Sequence, residues 1–351
     1  MSESVTTQMG QDYLTPASLH ERTEQQDELR HIQNLGKFIT ARQLLEGGND
    51  KMATLLGPIL PKSGLVALVG SSDTGKSAFL RQLAIAVALG DATFVGLPLS
   101  LTHRRAVYVS TEDDQLSLGY LTRKQIRGRV NSIDDYERLL YLFDADDLIT
   151  QLDELLTLYP ADLVVLDAFS DLFEGRLNDS QSVRAFFKAY HQLIVKHGCL
   201  IILLHHTGKY RDEQVPSKHH VVGSQAFEAK MRMVMELRVD PLYSEKRHLC
   251  VLKGNYLGSE EKKNSYVLEF DEDLTFHETG ERQPLETLTK SPSIVSDDSS
   301  EKTTTGYTRE KYDAAASMRT EGKSLTEIAC ALGYADKSAI SKLLKKFDPP
   351  A

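Results

Sequence analysis

Between residues 38 and 270, short apolar runs alternate with longer stretches whose apolar positions recur three and four apart. Alternation of a strand pattern with a 3.6-residue period predicts βαβ units, an α/β fold with a mostly parallel sheet covered on both faces. Strands are expected at 65–69, 106–110, 163–166 and 199–204, and helices at 78–90 and 182–198. Three further strand-like runs, 234–238, 248–253 and 265–270, are joined by short polar turns and are expected to extend the sheet as antiparallel edge strands. Residues 1–35 are polar and rich in Gln and Glu, with too few apolar positions to offset the entropy of ordering, and read as a flexible arm. The α/β domain then occupies 36–275. Residues 276–307 have the Ser, Thr, Asp, Glu and Pro composition of a linker, and helical periodicity returns over 308–351, a small all-α domain.

The chain has 351 residues, more than one compact domain ordinarily holds. Its 41 basic and 50 acidic residues leave a net charge of −9, so contact with nucleic acid requires a local basic face. No apolar run approaches the roughly 18 residues of a membrane span, and the N-terminal positions lack the order of a signal peptide. A cytoplasmic protein without a membrane partner is expected. Cys199, Cys250 and Cys330 lie in or beside apolar runs without CxxC spacing, which favours reduced core residues over a zinc site or a disulfide.

The segment GSSDTGKS at 70–77 fits GxxxxGK[ST], and it lies between the apolar strand LVALV and the helix beginning AFLRQL. Its backbone N–H groups, with the helix N-terminus behind them, form a cradle for phosphate oxygens. Gly70, Ser71, Ser72, Asp73, Thr74, Gly75, Lys76 and Ser77 are therefore the candidate nucleotide-binding residues. Lys76 would neutralise the β and γ phosphates, and Ser77 would ligate Mg²⁺. Asp73 has no evident part in such a loop except with its carboxylate turned outward.

A magnesium nucleotide site also needs a second acidic residue and a base that orients the attacking water. In ADLVVLDAF, Asp167 ends a buried run, where an ionised side chain is costly unless it faces a metal. This is the Walker B position; a helix cap is the structural alternative. Ala168 follows it, where many AAA+ ATPases carry the catalytic Glu, so the base must come from elsewhere. VYVSTEDD supplies Glu112 two residues beyond another strand, while Asp113 and Asp114 read as solvated loop charges. CLIILLHHTGK ends a further strand in His205 and His206. Strand carboxyl ends converge on the ligand in a parallel sheet, so His206 is expected near the γ phosphate, reporting its presence to the loop that follows. His219 and His220 read as loop residues.

Taken in order, PILPKSGLVALVGSSDTGKS, VYVSTEDD, LVVLDAF, LLHHTGK, GSQAFEAKMRMVMELR and VLKGNY resemble the AAA-domain ATPases of plasmids and mobile elements. Those are RecA-like P-loop NTPases similar to the RepA-type hexameric replicative helicases. The resemblance implies ATP and Mg²⁺ as cofactors, and a homo-oligomeric ring, a hexamer, with ATP between neighbouring subunits. It places the catalytic glutamate at the carboxyl end of the strand beside the phosphate-loop strand, a position matched to Glu112. It matches Arg232 and Lys253 to cations supplied to a neighbour's γ phosphate; an ordinary strand-flanking charge is the alternative for each. A polar channel loop is implied after the histidine strand, where Lys209, Arg211 and Lys218 would track single-stranded DNA; a merely mobile loop is the alternative. The function so implied is a helicase or helicase-like replication or mobilisation protein of a mobile element. The alternative is an ATP-gated DNA-binding regulator that separates no strands.

The C-terminal segment has the pattern of a helix-turn-helix, with SLTEIACALG, a turn at YADK, and SAISKLLKKF. It resembles the small DNA-binding modules of resolvases and transcription regulators. Ser324 and Glu327 have capping-box spacing, and Gly333 marks a helix stop. Ser338 and Lys342 would face a major groove, with Lys345 and Lys346 near phosphates. A protein-docking three-helix module is the alternative.

Overall fold

The run GLVALVG forms strand β1 (Gly64–Gly70), and every one of its residues is buried. Leu65, Ala67 and Val69 enter one apolar cluster, while Val66 and Leu68 enter another on the opposite face. A strand covered on both sides has no polar face to show, which is why it reads as an unbroken apolar run. These relations come from a computed structural model that describes residues 38–47, 52–143, 145–176, 179–207, 214–217, 225–289, 309–332, 340–341 and 343–344. The chain divides into two compact units, Met1–Ser291 and Pro292–Ala351.

In the first unit, β1 is joined by β2 (Ala106–Ser110), β3 (Leu139–Leu142), β4 (Leu163–Asp167), β5 (Leu200–His206), β6 (Met233–Val239), β7 (Lys246–Gly254), β8 (Asn264–Phe270) and β9 (Phe276–Pro284). They form one sheet in the order β9-β8-β7-β6-β1-β5-β4-β2-β3. From β6 through β3 every neighbouring pair is parallel, and β7, β8 and β9 extend the β6 side antiparallel. The fold is α/β with a mostly parallel central sheet and antiparallel edge strands, as the apolar periodicity predicts.

Three strand assignments differ from the sequence reading. The run 234–238 is not an antiparallel edge strand: β6 pairs parallel with β1, Met233 opposite Val66, and only its other side is antiparallel. β3 and β9 carried no recognisable strand signal. β9 falls in the expected linker, because its residues beyond Phe276 are exposed or half-buried and polar. It is held by pairing with β8 and by the buried Gln82 side chain. Gln82 donates to the Phe276 carbonyl at 2.9 Å and accepts from the Phe276 N–H at 2.7 Å.

Helices α1 (Ala41–Glu46), α2 (Lys76–Leu89), α3 (Gln115–Gln125), α4 (Leu148–Leu158), α5 (Phe169–Leu172), α6 (Ser180–His197) and α7 (Gln225–Lys230) complete this unit. The α2 side chains pack in the cluster of Val66 and Leu68. On the other face, Val183, Phe187, Tyr190 and Ile194 of α6 recur four, three and four apart and meet Leu148, Leu152 and Leu156 of α4. Gly198 closes α6 at φ +68°, a left-handed cap that costs glycine little. Cys199 and Cys250 are buried, and burial pushes the Cys199 thiol up to about 11.

The second unit contains α8 (Arg309–Thr320) and α9 (Leu325–Ala331), with Ala315, Ile328, Ala329, Ile340 and Leu343 in one buried cluster. At the start of α9 the Ser324 N–H donates to Glu327 Oε2 at 2.8 Å, and the Glu327 N–H to Ser324 Oγ at 3.3 Å. The expected capping box is therefore formed. Gly333, Ser338, Lys342, Lys345 and Lys346 lie outside the described residues, as do the arm at 1–35, Lys209, Arg211, Lys218, His219 and His220. No helix among the described residues is long and apolar enough to cross a membrane.

Candidate functional site

The phosphate loop leaves β1 at Gly70 and enters α2 at Gly75. A Cβ on Gly70 would stand 2.4 Å from the Leu237 carbonyl oxygen of β6, and φ there is +155°, so both space and backbone require glycine. Gly75 is the N-cap of α2 at φ +91°, against the rings of Phe270 and Phe276. No side chain caps this end of the helix, so its first N–H groups and positive dipole end stay available to an anion. Lys76 is buried and its Nζ donates to the Ser71 carbonyl at 2.6 Å, the same carbonyl that accepts from Thr74 Oγ1 at 3.1 Å. Ser72 and Asp73 are exposed. Asp73 adopts φ +62°, a conformation that Asp tolerates better than most side chains, which gives the residue a backbone reason to stand there.

Asp167 ends β4 with its side chain buried, opposite Ser110 in the β2–β4 register. Burial pushes its carboxyl above the ordinary range; the Tyr108 and Ser77 hydroxyls beside it pull the other way, and the Glu112 and Asp113 charges push it up further. Oδ2 accepts from the Tyr108 hydroxyl at 2.5 Å, whereas Oδ1 is buried and accepts no hydrogen bond. A buried carboxylate oxygen without a partner, beside a serine hydroxyl, is a donor set suited to a hard cation such as Mg²⁺. Among the described residues no group of three or more His, Cys, Asp and Glu is arranged for a metal. An ion held by Ser77 and Asp167 would thus need phosphate oxygens as well, which is how Mg²⁺ binds with nucleotides.

Glu112 is exposed just beyond β2, and its Oε1 lies 3.6 Å from Nε2 of His206 at the end of β5. His206 in turn stands opposite Gly70 in the parallel register. The family resemblance implies a Glu112 strand beside the phosphate-loop strand, but β5 and β4 stand between β1 and β2. That is roughly 14 Å at about 4.8 Å per strand, and the Glu112 side chain meets His206 from a segment beyond the strand end. Thr111 ties this segment to β4: its N–H donates to the Asp167 carbonyl at 2.8 Å, and its Oγ1 accepts from the Ala168 N–H at 3.0 Å. Asp114 is no solvated loop charge, because its Oδ1 caps α3 by accepting from the Ser117 N–H at 2.7 Å.

Arg232 and Lys253 stand at the other end of the sheet. The Arg232 N–H donates to the Leu65 carbonyl at the start of β1, and its Nη1 to the Tyr256 hydroxyl at 2.6 Å. Lys253, opposite Val234 in the β6–β7 register, donates from Nζ to the Glu228 carbonyl at 2.6 Å. The six-residue step from Gly64 to Gly70 separates both from the phosphate loop by about 20 Å, at roughly 3.3 Å per residue.

Three residues on the phosphate-loop side of the sheet escaped sequence reasoning. Arg247 of β7 is buried and donates from Nε to the Thr74 carbonyl at 3.0 Å, across 173 positions of sequence, and nothing local announces that contact. Arg238, at the end of β6, is buried and donates to the Gln214 carbonyl at 2.6 Å in the segment after β5. Tyr108 did carry a signal, a polar-tipped aromatic within the otherwise small and aliphatic AVYVS.

Residues 36–212, half of the chain, match the family described as AAA domain. A solved structure described as an ATPase domain is similar with a TM-score of 0.52 at 11% identity, over 68% of this chain and 95% of that chain. At that identity the likeness speaks for the fold. No curated protein matches. Since the matched residues include the phosphate loop, Glu112, Asp167 and His206 gathered on one sheet edge, the chain belongs to the AAA-domain family and is a P-loop ATPase of RecA-like fold.

Proposed function

We propose that this chain is a Mg²⁺-dependent ATPase that assembles into a ring, a hexamer, and acts on DNA in the cytoplasm as a helicase or helicase-like replication or mobilisation protein of a mobile element. One observation carries the reading. Lys76, Ser77, Asp167, Glu112 and His206 gather at one end of the parallel strands, while Arg232 and Lys253 stand at the opposite end. A chain with that division cannot bring its own Arg232 to its own phosphates, whereas a head-to-tail neighbour in a closed ring can.

In this reading the Gly70–Gly75 backbone and Lys76 bind the phosphates of ATP, and Ser77 and Asp167 hold Mg²⁺. The ion, when bound, withdraws charge from the β and γ oxygens. Glu112 orients a water and takes its proton. His206, beside Glu112, relays the state of the site to the loop after β5, where Lys209, Arg211 and Lys218 follow a single strand. Arg232 and Lys253 of a neighbour stabilise charge that develops late in the reaction. Ser338, Lys342, Lys345 and Lys346 of the C-terminal helix-turn-helix contact duplex DNA.

Mixing tests the seam directly. Arg232→Ala should bind ATP and not hydrolyse it, and activity should return when it is mixed with Glu112→Gln, which contributes an intact Arg232. A monomeric Arg232→Ala protein with an unchanged rate refutes the shared site. Forked-duplex unwinding with ATP then distinguishes the roles: ATPase stimulated by single-stranded DNA without strand displacement replaces the helicase with an ATP-gated DNA-binding regulator.

A further inference from the structure

Tyr108 is fully buried in β2 between aliphatic neighbours, and its ring lies 5.7 Å from that of Tyr141. A phenylalanine would serve that packing equally well, and a buried hydroxyl is costly unless it is bonded. The hydroxyl sits between the two residues that would hold Mg²⁺. It donates to Asp167 Oδ2 at 2.5 Å, and the Ser77 carbonyl oxygen lies 3.4 Å away. A phenol has one proton. Given to Oδ2, it fixes the rotation of the carboxylate and leaves Oδ1 as the oxygen that accepts no hydrogen bond.

We propose that Tyr108 is a positioning residue that turns Asp167 so that Oδ1 is presented to the Mg²⁺ of a bound nucleotide. The assignment rests on the ATPase reading of this site. Partners that orient a metal ligand from behind are commonly worth about 10–100-fold in metal affinity. Metal-free nucleotide binding should not depend on Tyr108, since the loop backbone and Lys76 hold the phosphates without it.

The experiment uses the full chain and a fluorescent ADP, titrated in EDTA and across a Mg²⁺ series, with Mn²⁺ bound in the presence of ADP followed by electron paramagnetic resonance. Tyr108→Phe should bind ADP in EDTA within about twofold of the wild type and need about 10–100-fold more Mg²⁺ or Mn²⁺ for half-saturation. In an Asp167→Asn background the same change should add nothing. Tyr108→Met, which also lacks the donor, gives the same metal-specific loss and serves if the phenylalanine variant does not fold. A wild-type metal midpoint in either variant overturns the proposal, as does equal weakening with and without metal, which marks a purely structural ring. A wild-type protein whose ADP affinity ignores Mg²⁺ overturns the ATPase reading itself, and the role of Tyr108 with it.

Discussion

The contact between Arg247 and the phosphate loop yields the sharpest expectation. In Arg247→Met an unbranched apolar side chain remains and the guanidinium is lost. That group donates from Nε to the Thr74 carbonyl at 3.0 Å and from Nη1 to the Ser244 and Lys246 carbonyls at 2.5 and 3.0 Å, and it lies 5.0 Å from the Phe270 ring centre. The carbonyls at 244 and 246 belong to residues that are not buried and can turn to water, so the loss falls mainly on Thr74, which is 1% exposed. A hydrogen bond from a charged group contributes about 1.5–3 kcal/mol. Burial lowers the Arg247 pKa, with the Glu245 charge opposing, so desolvation offsets part of the sum and the net loss stays within that range. In a domain of this size it lowers the melting temperature by about 3–12 °C. If about half of it orders Thr74 and Gly75 in their binding shape, ATP affinity falls about 3–12-fold. Urea unfolding and equilibrium nucleotide titration measure the two effects. A variant with unchanged midpoint and unchanged affinity shows that the loop holds its shape without β7, and the reasoning fails.

Gly70→Ala places a Cβ 2.4 Å from the Leu237 carbonyl oxygen and should cost about 1–3 kcal/mol along with ATP binding; wild-type melting refutes the close approach. Glu112→Gln should bind ATP without turning it over, and near-normal turnover in a single-cycle assay transfers the base to another carboxylate. Asp114→Ala should leave turnover intact and lower the melting temperature as α3 loses its cap, and an unchanged melt refutes the cap. His248 is fully buried between Asp240 Oδ2 at 2.7 Å and Ser265 Oγ at 2.9 Å, and burial lowers its pKa against the opposing pull of Asp240. The unfolded chain therefore binds the extra proton first, below about pH 6.5, and stability declines as pH falls from there, by up to about 1.4 kcal/mol per pH unit until the folded pKa is reached. His248→Gln should flatten that limb, and an unaltered acid slope assigns it to other groups.

The residues legible in the sequence share one property: their neighbours in space are their neighbours in the chain. The phosphate loop between β1 and α2, the strand-end positions of Asp167 and His206, and the Ser324–Glu327 cap are of this kind. Arg247 pairs with Thr74, Gln82 with Phe276, and Tyr108 with Asp167, and each partnership joins segments that are far apart in sequence. Strand β9 shows the same limit from another side, since its polar composition matches a linker and only its place beside β8 makes it a strand.

By itself the sequence determined that a buried, mostly parallel sheet carries a phosphate loop, because apolar periodicity and a glycine-spaced motif are local consequences of backbone geometry and of the space a phosphate needs. Tertiary structure decided which strands are neighbours. It set β5 and β4 between Glu112 and the loop, met Glu112 with His206, and put Arg232 at the far end of the sheet. Those relations depend on sheet order and register, which arise from closing long segments of chain against one another and leave no trace in the residues taken one stretch at a time.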